Sequence, residues 1–164
     1  MAFLNKIKKI KQPYLIAELG INHNGRISLA KKMIDKAKKN GADCVKFQHF
    51  YAEDLISIYA KKAPYQARNK EFKNLSQQQI IKKCELDVSN LKKLKNYCHR
   101  KKIDFLCTPF DLKSLKDLKK MGEKKIKVSS CNFNNKVFLD ESIKSGFELL
   151  LSTGMADKKE VDEI

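Results

Sequence analysis

The sequence predicts an α/β fold built on parallel strands, of the (β/α)8 TIM-barrel type and stopping after about the fifth strand. Three observations lead there. Short apolar runs alternate with longer stretches whose apolar residues recur at helical spacing, the order that right-handed βαβ units produce. Polar and charged residues gather where the apolar runs stop, which in a parallel barrel is the mouth that carries the chemistry. Five such strands would also suit a doubly wound sheet, but the glycine fingerprint of a dinucleotide fold is missing after the first run, where Gly20 and Gly25 are separated by INHN.

Residues 14–18 read as the first strand, a short apolar run ending at Glu18. Residues 28–39 place Leu29, Met33, Ile34 and Ala37 on one helical face, with Ser28 as the expected N-cap and Gly41 beyond the end. Residues 43–48 form the second strand. The irregular stretch 51–75 is expected to be a long loop with helical pieces, and its segment APYQARN (63–69) is the part expected to face a substrate. Helices follow at 76–84 and 89–100, the latter capped by Ser89 and lined by Leu91, Leu94 and Cys98. A third strand at 103–107 is expected to end at Thr108-Pro109, because proline cannot donate to a ladder. Residues 111–121 form a helix with Leu112, Leu115 and Leu118 as its apolar stripe. The fourth strand is 125–129, a helix spans 136–145, the fifth strand is FELLLS (147–152), and a last helix begins near Ala156.

Composition narrows the function classes. With 164 residues and 42% hydrophobic content, the chain is one domain's worth with enough apolar side chains for a single core. No run of about 18 apolar residues is present, so no membrane span is expected. The lysine-punctuated start MAFLNKIKKIKQ lacks the apolar core of a secretory signal, and a cytoplasmic location is expected. Five cysteines, never closer than nine residues, form neither a metal knuckle nor a disulfide framework and are expected to be buried reduced thiols. Lys and Arg outnumber Asp and Glu by 35 to 19, a net charge of +16, which favours an anionic partner. The lysines are spread as pairs along helix faces, without an arginine-rich tail or interleaved aromatics. The expected anion is therefore a small phosphorylated molecule rather than nucleic acid or a membrane.

At the strand ends stand Glu18, Lys46, Gln48, Thr108, Lys127, Ser130 and Ser152, with Asn22-His23-Asn24 on the loop after Glu18. A buried ammonium is costly unless an anion meets it, so two lysines at inward positions, with hydroxyls beside them, would suit a phosphate plus a carboxylate. Three alternatives stay open: one lysine points outward, one pairs with Glu18, or one forms a Schiff base with a carbonyl substrate. His23 and His49 follow adjacent strands and with Glu18 could form a metal site, but their spacing is that of no compact ligand motif, so both are expected to serve as hydrogen-bond partners. His99, near a helix end, is expected at the surface.

The motifs PYLIAELGINHNG (13–25), GADCVKFQ (41–48), FLCTPFD (105–111), KVSSCNFNN (127–135) and LSTGM (151–155), in this order, resemble the sialic acid synthase family. That family condenses phosphoenolpyruvate with an N-acylated amino sugar, releasing phosphate. The resemblance implies that Lys46, Thr108, Lys127, Ser130 and Ser152 anchor phosphoenolpyruvate, that Asn132 contacts substrate, and that Glu18 and Gln48 take the catalytic positions, Gln48 against the sugar. It also implies a divalent cation, Mn²⁺ or Mg²⁺, with ligands outside this chain.

Two departures stand out. The family usually carries an acidic residue where this chain has Asn132, and an amide cannot exchange a proton. The chain is also expected to be only the amino-terminal part of the barrel, the rest of it and a C-terminal antifreeze-like domain being absent, so that a complementing half or a homodimer would complete the site. The alternative to a synthase is a non-catalytic barrel fragment that keeps an anion site or serves as an interaction module. The amino sugar, N-acetylmannosamine or a diacetamido-trideoxy hexose, is left open by the residues.

Overall fold

The computed structural model describes residues 5, 7, 12–67 and 72–163. In chain order the elements are β1 (Ile16–Gly20), α1 (Ile27–Lys39), β2 (Cys44–His49), α2 (Ala52–Leu55), α3 (Pro64–Ala67), α4 (Gln77–Lys83), α5 (Val88–Arg100), β3 (Asp104–Pro109), α6 (Leu112–Lys120), β4 (Lys125–Val128), a 3-10 turn (Ser130–Asn132), α7 (Lys136–Lys144), β5 (Glu148–Leu151) and α8 (Lys158–Asp162). This is the expected alternation, and all ladder pairings are parallel. The strands run in sequence order, β1-β2-β3 in one ladder and β4-β5 in another, with β4 lying alongside β3. Sequential order with a helix after each strand is how a (β/α)8 barrel wall is laid down. Among the described residues no helix is long and apolar enough to cross a membrane.

The pleat decides what each strand offers to its two sides. Val45 and Phe47 of β2, Phe105 and Cys107 of β3, and Ile126 and Val128 of β4 face the helices. There they join Ala30 and Ile34 of α1, Leu91, Leu94 and Cys98 of α5, Leu115 and Leu118 of α6, and Phe138 of α7 in one buried core. The alternate positions, Lys46 and Gln48, Leu106 and Thr108, and Lys127, are thereby turned to the concave side. The core thus sits between strands and helices, and its apolar face fixes which residues are left for chemistry.

Several boundaries differ from expectation for identifiable reasons. Ser28 lies inside α1, whose N-cap is Arg26 without a side-chain bond. Asp87, not Ser89, caps α5 by accepting the Asn90 N–H at 2.7 Å. β3 runs through Thr108 to Pro109, because Phe110 N donates to His49 O at 3.1 Å and Pro109 therefore turns its missing donor away from β2, to a side with no ladder among the described residues. Leu112 is 39% exposed, leaving Leu115 and Leu118 as the buried part of its stripe, while Asp111 and Ser114 close a capping box at the start of α6. Four cysteines are buried free thiols, but Cys131 is exposed. The stretch 51–75 does contain short helices; Arg68 and Asn69 of the expected substrate loop lie outside the described residues.

Candidate active site

β1 ends in an irregularity. Glu18 pairs with Lys46 and Gly20 with Phe47, so Leu19 is an extra residue opposite the ladder, and Gly20 takes φ +53°, which favours glycine. The chain then turns through bonds from Asn22 N to Leu19 O, Asn24 N to Ile21 O and Arg26 N to His23 O. His23 is fully buried; its Nδ1 accepts the Gly25 N–H at 3.1 Å, and its ring lies 5.9 Å from that of Phe47. Burial holds its pKa below the ordinary histidine value, against an opposing pull from the Gly20 carbonyl. His23 thus shapes the loop through the bond its Nδ1 accepts, as a hydrogen-bonding histidine was expected to, while its Nε2 is buried with no partner among the described residues.

Where β1 to β5 end, a cleft of about 230 Å³ is lined by Glu18, Lys46, Gln48, Thr108, Phe110, Lys127, Ser129, Ser130 and Ser152. Seven of these were singled out from sequence. The structure also adds Phe110 and Ser129, which the sequence signalled only as neighbours of Pro109 and Ser130. Glu18 lies between the lysines: Lys46 Nζ is 2.8 Å from its Oε2, and Lys127 Nζ is 3.3 Å from its Oε1. Lys46 Nζ also donates to Thr108 Oγ1 at 3.2 Å. The Lys46 side chain is 5% exposed against 52% for Glu18, so the cation is fixed in the wall and the carboxylate stands at the water edge. Both lysines thus pair with Glu18, one of the alternatives left open above. Lys46 lies against a carboxylate, whereas Schiff-base chemistry asks for a lysine in an apolar setting.

Asn132 is buried beside the cleft and does not line it. Its Nδ2 donates to the Phe110 carbonyl at 3.1 Å, tying the turn after β4 to the end of β3. His49 faces the helices: Nε2 is 3.1 Å from Asp117 Oδ2, which also accepts the Tyr51 hydroxyl at 2.7 Å. Its Nδ1 is buried with no partner among the described residues. His99 is exposed, as expected.

The described residues do not make a metal centre. No group of three or more His, Cys, Asp and Glu side chains is placed to hold an ion. Glu18 is the cleft's carboxylate and both its oxygens are engaged by ammoniums, while the Nδ1 of His23 is taken by backbone. What the cleft can do is bind an anion: two ammoniums set the charge, and the hydroxyls of Thr108, Ser129, Ser130 and Ser152 supply neutral donors that orient it.

Comparison with known proteins gives the arrangement a setting. The model of the NeuB family matches residues 33–164. N,N'-diacetyllegionaminic acid synthase of Campylobacter jejuni is 44% identical over 154 residues, which are 94% of this chain and 46% of that protein. The enzyme of the same name from Legionella pneumophila is 36% identical over 148 residues, 90% of this chain and 41% of the relative. Among solved structures, the N-acetylneuraminic acid synthetase of Leptospira borgpetersenii superposes with a TM-score of 0.75 at 33% identity, covering 92% of this chain and 47% of that one. The chain spans about half the length of the relatives it matches.

Proposed function

The chain belongs to the NeuB family, and on that footing we propose that it supplies the amino-terminal part of the barrel of a nonulosonic acid synthase, with the phosphoenolpyruvate site in it. The observation that carries the reading is the cleft at the strand ends, where Lys46 and Lys127 converge with four hydroxyls. Phosphoenolpyruvate carries a carboxylate and a phosphate on one three-carbon frame, and two ammoniums a few ångströms apart match two anionic groups so linked. In the reaction, C3 of the donor bonds to the aldehyde carbon of the open-chain amino sugar, whose oxygen takes a proton. Water adds at C2, and the C2–O bond breaks to release inorganic phosphate and leave the 2-keto acid.

The place of each residue supports the part proposed for it. Lys46, held by Thr108, and Lys127 anchor the donor, with Ser130 and Ser152 as oriented donors beside them. Gln48, two residues further up β2 than Lys46 and also lining the cleft, would meet the sugar, as the resemblance implies. Glu18 is the carboxylate at hand to exchange a proton at the reacting centre. Asn132 acts on substrate through Phe110. The acceptor we favour is the diacetamido-trideoxy hexose that leads to a legionaminic acid, supported by the 44% and 36% identity to synthases of that name against 33% to the N-acetylneuraminic acid synthetase. The setting for such a reaction is the cytoplasm, and a second copy or a complementing half would close the site.

Phosphate release from phosphoenolpyruvate tests this. The chain is assayed alone and joined to the remaining half of the Campylobacter relative, with Mn²⁺ and each candidate sugar. Release from the joined protein, lost on Lys46→Met and Lys127→Met, is expected. A folded joined protein that neither releases phosphate nor binds phosphoenolpyruvate overturns the reading.

A further inference from the structure

Resting on that donor site, we propose that Glu18 is a resident anion whose carboxylate occupies the ground between Lys46 and Lys127 and must be exchanged for the donor, so that the cleft selects highly charged anions over simple carboxylates. The distances of 2.8 Å and 3.3 Å put one Glu18 oxygen on each ammonium, the two-point grip that an incoming phosphate or carboxylate would need. An anion that takes both lysines has to move Glu18 first.

The structure also says which partner moves. Lys46 is 5% exposed, is tied to Thr108, and has no other carboxylate within salt-bridge distance among the described residues. Glu18 is half in water and stands just before the extra residue in β1, where the backbone is already released from regular pairing. Swinging outward, it exchanges two ammoniums for solvent. Withdrawing Lys46 instead would have to carry an ammonium through the wall.

Selectivity follows from the exchange. A simple monocarboxylate replaces one carboxylate by another and gains little. A phosphate monoester brings more charge and more acceptor oxygens, and a donor with both phosphate and carboxylate can satisfy each lysine separately. The arrangement also keeps Lys46 and Lys127 from standing together as bare like charges.

Calorimetric titration of the chain with phosphoenolpyruvate, inorganic phosphate and pyruvate tests the exchange in wild type, Glu18→Gln and Glu18→Asp. Glu18→Gln is expected to bind inorganic phosphate about tenfold more tightly and to narrow the preference for phosphoenolpyruvate over pyruvate. Glu18→Asp keeps the charge but is one methylene too short to span both ammoniums, and is expected between the two. If wild type binds phosphoenolpyruvate but Glu18→Gln is unchanged or weaker for phosphate, the exchange is refuted. It is equally refuted if Glu18→Asp matches wild type while Glu18→Gln tightens, since charge at a distance would then be the whole effect. Absence of phosphoenolpyruvate binding in folded wild type removes the donor site itself, and the exchange with it. Should Glu18→Gln fail to fold, Glu18→Asp decides alone: phosphate binding tighter than wild type is expected, and binding unchanged or weaker refutes the exchange.

Discussion

Replacing Lys46 by Met separates what the residue does for binding from what it does for the fold. The Lys46 side chain is 5% exposed, so its ammonium gave up most of its hydration on folding, at an effective cost of several kcal/mol for a buried ion. Its partner differs: Glu18 is 52% exposed and keeps Lys127 at 3.3 Å, so losing Lys46 does not strand a buried carboxylate. A pair with one member in water returns roughly 1 kcal/mol or less. Methionine fills much the same volume with no charge to desolvate. Stability is therefore expected to hold or to rise by about 1 kcal/mol, which for a chain of this size is a melting shift of roughly +2 to +4 °C. Binding is expected to move the other way. Losing one charge-assisted contact to the donor costs about 1.5–3 kcal/mol, or roughly 10- to 150-fold in affinity. Thermal melting and calorimetric titration with phosphoenolpyruvate, run on the same preparations, measure both. A melting temperature lower by more than about 4 °C with phosphoenolpyruvate affinity intact would show that Lys46 is a structural ion and refute the reasoning.

Other perturbations follow from neighbouring features. Gly25 has φ +71°, and a Cβ there would stand 2.3 Å from the Lys83 carbonyl oxygen, so Gly25→Ala is expected to cost about 2 kcal/mol or more in urea unfolding; an unchanged midpoint would mean the loop yields freely. Because burial depresses the His23 pKa, the neutral ring favours the fold above the ordinary histidine value of about 6.5, and that contribution is lost as pH falls below it. The urea midpoint should therefore drop between pH 7 and 5, and His23→Asn should flatten the drop; equal slopes in both proteins would assign it elsewhere. A disulfide reagent should label Cys131 rapidly in the native protein and reach Cys44, Cys84, Cys98 and Cys107 only on unfolding, Cys98 being pushed up to about 12 by burial. Rapid labelling that survives Cys131→Ser would contradict the described core.

The periodic features were legible in the sequence because burial alone decides them. Leu91, Leu94 and Cys98 could only line α5, and Lys46 and Gln48 had to face away from Val45 and Phe47. Features set by competition between neighbours were less legible. Asp87 and Ser89 are both good caps, and the choice between them depends on where the backbone leaves its extended stretch. Pro109 marks the end of a strand by propensity, but the side on which it lacks a donor carries no ladder among the described residues, so the strand absorbs it. The cleft followed the same division. Its lysines could be assigned to the concave side from period two, while the meeting of both on Glu18 depends on the irregularity in β1, which no pattern of polar and apolar residues announces.

The seam between β3 and β4 gives Asn132 a meaning that its chemistry alone does not. The cleft draws Thr108 and Phe110 from one side of that seam and Lys127, Ser129 and Ser130 from the other, although the two strands share no ladder among the described residues. Beyond the shared core, a side-chain bond helps hold the rim in register. At the mouth, the Asn132 amide does so by donating to the Phe110 carbonyl at 3.1 Å from a buried position. A carboxylate there has no proton to donate and would face the carbonyl dipole in a site with little water to screen it. The departure from an acidic residue therefore does not by itself signal lost chemistry: in this chain the position is spent on geometry. On the proposed function, proton exchange would fall to Glu18, the cleft's carboxylate, once an anion had taken the lysines from it.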